Sequence, residues 1–150
     1  MSAPVNGLTL ITTLYYRTTI STTDASSNNV RINFTNPQNT YAGVSNRFMM
    51  DANGNPNKDV ISFVGYRTLA DNNLGVYSIY SLFNETLNIQ TKTGFVNATA
   101  IYNDTGSTVI TELPYVQYAV SAASGPFVGA QIVTIYFDNV NKTRRVEIYK

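Results

Sequence analysis

Short apolar runs alternate with polar residues along most of this chain, and turn residues break the pattern roughly every 8–12 positions, as strands and hairpins require. The densest stretch is residues 60–102. It predicts four antiparallel strands, at 60–68, 76–83, 87–92 and 95–102. The turns between them are read at Ala70-Asp71-Asn72-Asn73, at Asn84-Glu85 and at Thr93-Gly94. Upstream, residues 8–20 predict a long strand with apolar side chains on both faces. Residues 30–35 alternate cleanly, with Val30, Ile32 and Phe34 on one face. Asn36-Pro37 ends that strand, and residues 41–50 read either as a short strand or as an irregular connection. Downstream, strands are expected at 108–113, 115–122, 131–138 and 144–149, with turns at 103–106, 124–126 and 138–139. No window carries the 3.6-residue period of an amphipathic helix, and no fixed-length repeat is visible.

Roughly nine to eleven strands with regular turn signals predict an all-β, antiparallel fold, either a sandwich or a closed barrel. The sandwich is favoured. Runs such as 60–66 and 131–137 are apolar on both faces, whereas a barrel around a ligand cavity would alternate more cleanly in every strand. A jelly roll is the first topology expected and an immunoglobulin-like Greek key the second. Residues 1–7 are read as a short tail and 8–150 as a single domain, as 150 residues make one core the default.

Composition narrows the chemistry. There is no cysteine and no histidine, so thiolate chemistry is excluded, together with the commonest general base and the commonest transition-metal ligand. Ten basic residues balance nine acidic ones and are scattered, which argues against a phosphate-binding stripe and so against nucleic acid as a partner. The start lacks a basic segment before its apolar residues, so no secretory signal is expected. No apolar run approaches the ~20 residues of a membrane span.

Few constellations stand out. The loop at 51–59, DANGNPNKD, places an oxygen-bearing side chain at every second position, as a calcium loop does. Its glycine falls at the wrong place and Ser62 stands where a bidentate glutamate belongs, so it is read as a turn and no metal or other cofactor is expected. The three glutamates, Glu85, Glu112 and Glu147, are assigned to a turn, a strand end and an outward strand position, which leaves no facing pair for glycosidase chemistry. No nucleophile motif is present, so no enzyme is expected. Five Asn-X-Thr triplets, at Asn33, Asn84, Asn97, Asn103 and Asn141, are read as a product of the Asn- and Thr-rich composition. The eleven tyrosines are mostly read as half-buried strand residues. Tyr15, Tyr16, Tyr77 and Ile79 are singled out as an oligomer interface, because a sandwich has one inner face per sheet and these runs are apolar on both.

In this composition and architecture, over its whole length, the chain resembles the small jelly-roll structural proteins of large icosahedral DNA viruses, such as minor capsid proteins of the marseillevirus group. The resemblance implies a non-enzymatic virion component, assembled in the host cytoplasm. Its implied partners are copies of itself, with a homotrimer favoured, and other virion proteins, without nucleic acid or membrane. It carries over no site residues. A carbohydrate- or receptor-binding β-sandwich, such as a fibre head or a lectin-like module, is the alternative.

Overall fold

The computed structural model describes residues 3–17, 32–34, 40–69, 81–104, 114–138 and 140–150. Among these are nine strands: β1 (Leu10–Arg17), β2 (Ile32–Phe34), β3 (Thr40–Met50), β4 (Pro56–Leu69), β5 (Ser81–Gln90), β6 (Phe95–Asp104), β7 (Tyr115–Ala123), β8 (Ile132–Asp138) and β9 (Thr143–Tyr149). The only helical element among the described residues is a single 3-10 turn, Gly125–Phe127. The all-β, antiparallel expectation is therefore met.

From β3 to β9 each strand pairs with its neighbour in sequence, β9 pairs with β1, and β1 pairs with β3 through Tyr15 and Met50. The sheet thus closes into an eight-stranded barrel, and β2 adds to the outer edge of β3. This order is compatible with the all-β expectation but is not clearly a jelly-roll sandwich. The register shifts at three places, with the extra residues on β1 between Leu10 and Thr12, on β4 between Pro56 and Val60, and on β7 between Val120 and Ala122. Bulges bend strands and increase their twist, which suits a sheet that curves into a ring. Gly65 of β4 lies opposite Gly43 of β3 and Glu85 of β5. A Cβ on Gly65 would come within 2.7 Å of the Asn84 carbonyl oxygen, so the close approach of β4 and β5 requires glycine at this point.

A second difference from the sequence reading concerns β5. Asn84 and Glu85 were expected to turn the chain, yet the strand runs straight through them, pairing with β4 on one side and β6 on the other. Strand alternation explains how it can. Asn84 points out to solvent, while Glu85 points inward, where Tyr118 satisfies it. The strand expected at 108–113 and the first half of that expected at 76–83 lie outside the described residues.

One end of the barrel is a packed floor. Ile61, Leu87, Ile89, Val96, Val133 and Ile148 point inward there and are fully buried. Phe127, carried by the 3-10 turn, joins the same core. The turn is locked in place by Ser124, whose backbone N–H donates to the Phe95 carbonyl and whose hydroxyl accepts from the Phe95 N–H at 3.0 Å. The N-terminal tail crosses the outer face of β7 and β8. The Ala3 N–H donates to the Tyr136 hydroxyl at 3.0 Å, and Gln117 Nε2 donates to the Pro4 carbonyl at 2.7 Å.

Candidate functional site

Toward the other end the interior changes character. On β3, β4, β5, β6, β8 and β9 the inward residue nearest the floor is fully buried, and further along the strand it gives way to a partly exposed one. Met49 gives way to Arg47, Ile61 to Phe63, Leu87 to Glu85, Ala98 to Tyr102, Ile135 to Phe137 and Val146 to Arg144. β1 and β7 depart from this trend and send Tyr16 and Tyr118, both buried, into the same region. An eight-stranded barrel is just wide enough to be filled by side chains or to hold one small ligand. Here the floor is filled by aliphatic groups, and the upper lumen is lined by rings and charges.

Glu85 is the centre of the upper lumen. Its neighbours across the sheet are Gly65 on β4 and Ala100 on β6, the two smallest side chains available. Tyr118 lies on β7 one residue beyond the pair Thr99–Ala119, in the same row as Ala100. The small Ala100 lets the phenol reach over it, and the Tyr118 hydroxyl donates to Glu85 Oε1. Oε2 has no protein partner among the described residues. Burial pushes the Glu85 carboxyl above its ordinary value, the Tyr118 hydrogen bond opposes this, and no basic side chain among the described residues contributes. Tyr118 is pushed far up as well, first by burial and then by the Glu85 charge, so it stays a phenol that donates.

Rings complete the site. Tyr16 packs on Phe63 with centroids 5.9 Å apart, and both Tyr16 and Tyr102 act electrostatically on Tyr118. Arg47 and Arg144 enter from β3 and β9. Arg47 Nη1 donates to the Asn46 carbonyl at 2.9 Å, and Arg144 lies over the Phe137 ring at 4.6 Å. Chemically, the cluster offers one largely buried carboxylate beside aromatic rings, with Arg47 and Arg144 elsewhere in the same lumen. The upper lumen was missed from the sequence because Glu85 was placed in a turn. The signal that could have found it is the inward parity of Glu85 with Leu87 and Ile89, continued two residues back along the strand.

The residues singled out from the sequence separate. Tyr15 lies on the outer face, half-buried, beside Met50 and Arg145. Tyr16, its neighbour, faces the interior, since adjacent strand residues point to opposite sides. Tyr77, Ile79 and Glu112 lie outside the described residues. Glu147 points outward, accepting from the Tyr149 hydroxyl at 2.5 Å and pairing with Arg145 Nε at 3.1 Å. In the loop at 51–59, Asp51 accepts the backbone N–H groups of Asn53 and Asn55, both at 2.9 Å. Its carboxyl is held below the usual range, chiefly by the Asn55 N–H, so the turn itself uses the oxygens that a cation would need.

No protein-family model matches this chain, and no curated protein matches it either.

Proposed function

We propose that this chain is a non-enzymatic structural protein that self-associates through its outer barrel surface, as a virion component would. The observation that carries the reading is an apolar strip across the closing seam. Tyr15 on β1 pairs with Met50 on β3, and Phe48 of β3 pairs with Val60 of β4. All four point outward. Phe48 is 39 % exposed, and Val64 further along β4 is 54 % exposed. Apolar surface gathered in one place favours cover by another chain, and for identical chains closed cyclic symmetry is the usual result. A homotrimer is the assembly expected, with other virion proteins as further partners and assembly in the host cytoplasm. The reading needs no cofactor, nucleic acid or membrane. The jelly-roll sandwich expected of that class is the finer fold reading and belongs to this proposal. The test is light scattering after gel filtration at micromolar concentration, with Phe48→Asp as the variant. A defined oligomer that Phe48→Asp dissociates supports the reading, and a wild-type monomer removes it.

One observation favours carbohydrate or receptor binding as a second reading. On the outer face Tyr115 and Tyr136 lie 6.0 Å apart, Arg145 sits over Tyr136 at 4.3 Å, and Glu147 pairs with Arg145. Rings beside charged hydrogen-bonding groups suit sugars and protein partners alike. Binding on a glycan array that Tyr115→Ala abolishes would favour this reading over the first.

A further inference from the structure

Glu85 is a largely buried carboxylate that no basic side chain among the described residues neutralises. Isolated ionised carboxylates are costly to bury, and proteins ordinarily pair them with a cation or leave them protonated. Here one oxygen is used by Tyr118 and the other has no protein partner among the described residues. Arg47 and Arg144 stand further round the ring, and neither is among the groups that shift Glu85. The carboxylate is flanked across the sheet by the small residues Gly65 and Ala100, and the rings of Tyr16 and Tyr102 lie near its partner Tyr118, with Phe63 packed on Tyr16. The exposure of Phe63, Glu85 and Tyr102 shows that this part of the interior reaches solvent, whereas the floor does not.

We propose that the upper lumen of the barrel binds a small organic ammonium ion, with the cation on Glu85 and its hydrocarbon portion against Phe63, Tyr16 and Tyr102. The ammonium group supplies the charge the carboxylate lacks and donates to Oε2, while the ring faces attract the same cation. Barrel mouths are common places for such ligands, and an eight-stranded barrel limits the occupant to one small molecule. The anionic form of Glu85 binds and the protonated form does not, so affinity rises with pH as the carboxyl ionises. The site is independent of self-association, because it lies inside one barrel and uses none of the outer strip.

The test uses three probes of one shape: phenethylamine, phenethyl alcohol and phenylacetate. The chain has no tryptophan, so tyrosine emission, to which Tyr16, Tyr102 and Tyr118 of the lumen contribute, can be followed, and titration calorimetry gives the affinity. Phenethylamine is expected to bind most tightly, and more tightly as pH rises. Glu85→Gln keeps an acceptor for Tyr118 and removes the charge. It is expected to weaken the amine about tenfold or more, as loss of a charged hydrogen bond does, and to leave the alcohol unchanged. Equal binding of all three probes, tighter binding of phenylacetate, no binding of any probe, or unchanged amine affinity in Glu85→Gln would overturn the proposal. Should Glu85→Gln fail to fold, the wild-type protein decides through the ranking of the probes and the pH dependence of the amine.

Discussion

The two halves of the barrel interior are built from the same strands and obey opposite rules. On β5 the floor takes Leu87 and Ile89, which lose all contact with water, and the upper lumen takes Glu85 two residues away. On β8 and β9 the floor takes Val133 and Ile148, and the upper lumen takes Phe137 and Arg144. The floor is closed by Phe127 and by close backbone contacts. A Cβ on Gly94 would meet the Ser124 carbonyl oxygen at 2.3 Å, and one on Gly125 would meet that of Thr93 at 2.1 Å. A close approach also occurs beside Glu85, where a Cβ on Gly65 would meet the Asn84 carbonyl oxygen at 2.7 Å, but there glycine and alanine flank a carboxylate instead of an aliphatic side chain. One half is organised for stability. The other gives up some stability to keep polar groups inside, the pattern expected where a fold carries a binding function.

The comparison breaks most easily at the floor. Leu87→Ala removes a fully buried side chain and should cost about 2–5 kcal/mol, measured by urea unfolding. Phe63→Ala in the half-exposed upper lumen should cost clearly less. Equal costs would mean that the two halves are packed alike. The next effect is that of Tyr118→Phe, which removes the donor to Glu85 and leaves a buried carboxylate oxygen unbonded, at about 1–3 kcal/mol near neutral pH.

Glu85→Gln sharpens the contrast in a different way. The Glu85 carboxyl is raised in the folded protein, so the fold favours the protonated acid. Below the ordinary carboxylate value, folded and unfolded chains are both protonated and Glu85 costs nothing. As pH rises, the unfolded chain ionises first, and stability falls until pH passes the folded value. Above it the loss is complete and constant. Glu85→Gln should remove this fall, making the variant at least as stable as the wild type at neutral pH and flattening its pH profile. Thermal melts across the acid range check both points. The smallest effect belongs to the outer wall. Thr134 is fully buried and its hydroxyl has no hydrogen-bond partner, so Thr134→Val should be neutral or stabilise by up to about 1 kcal/mol, read from the same melts.

Much of the fold was legible in the sequence because strands announce themselves by alternation. Residues 95–102 and 131–138 were read as strands, and β6 and β8 lie there. Closure was not legible. It depends on Tyr15 meeting Met50, a contact between distant parts of the chain that no local pattern encodes. The run at 60–66 suggested sheets covered on both faces, yet Val64 points to solvent, and among the described side chains of the run Ile61 and Phe63 alone join or pack on the core. Glu85 was hidden for a related reason. Asn followed by Glu is turn-like by propensity, and tertiary context overrides propensity when a buried acid finds a donor. That donor, Tyr118, comes from a strand two places away in the sheet, so no window around Glu85 contains it.

The central claim is that Glu85 is an uncompensated carboxylate inside the barrel. Carbon-13 NMR titration of the glutamate carboxyls tests it most directly, since the chain has three glutamates and selective labelling resolves each. The account predicts that Glu85 titrates above the ordinary glutamate value and above Asp51 and Asp138, whose carboxyls are held low by backbone N–H groups. A Glu85 titration at or below the ordinary value would show that a cation or further donors already compensate it, and would contradict the account.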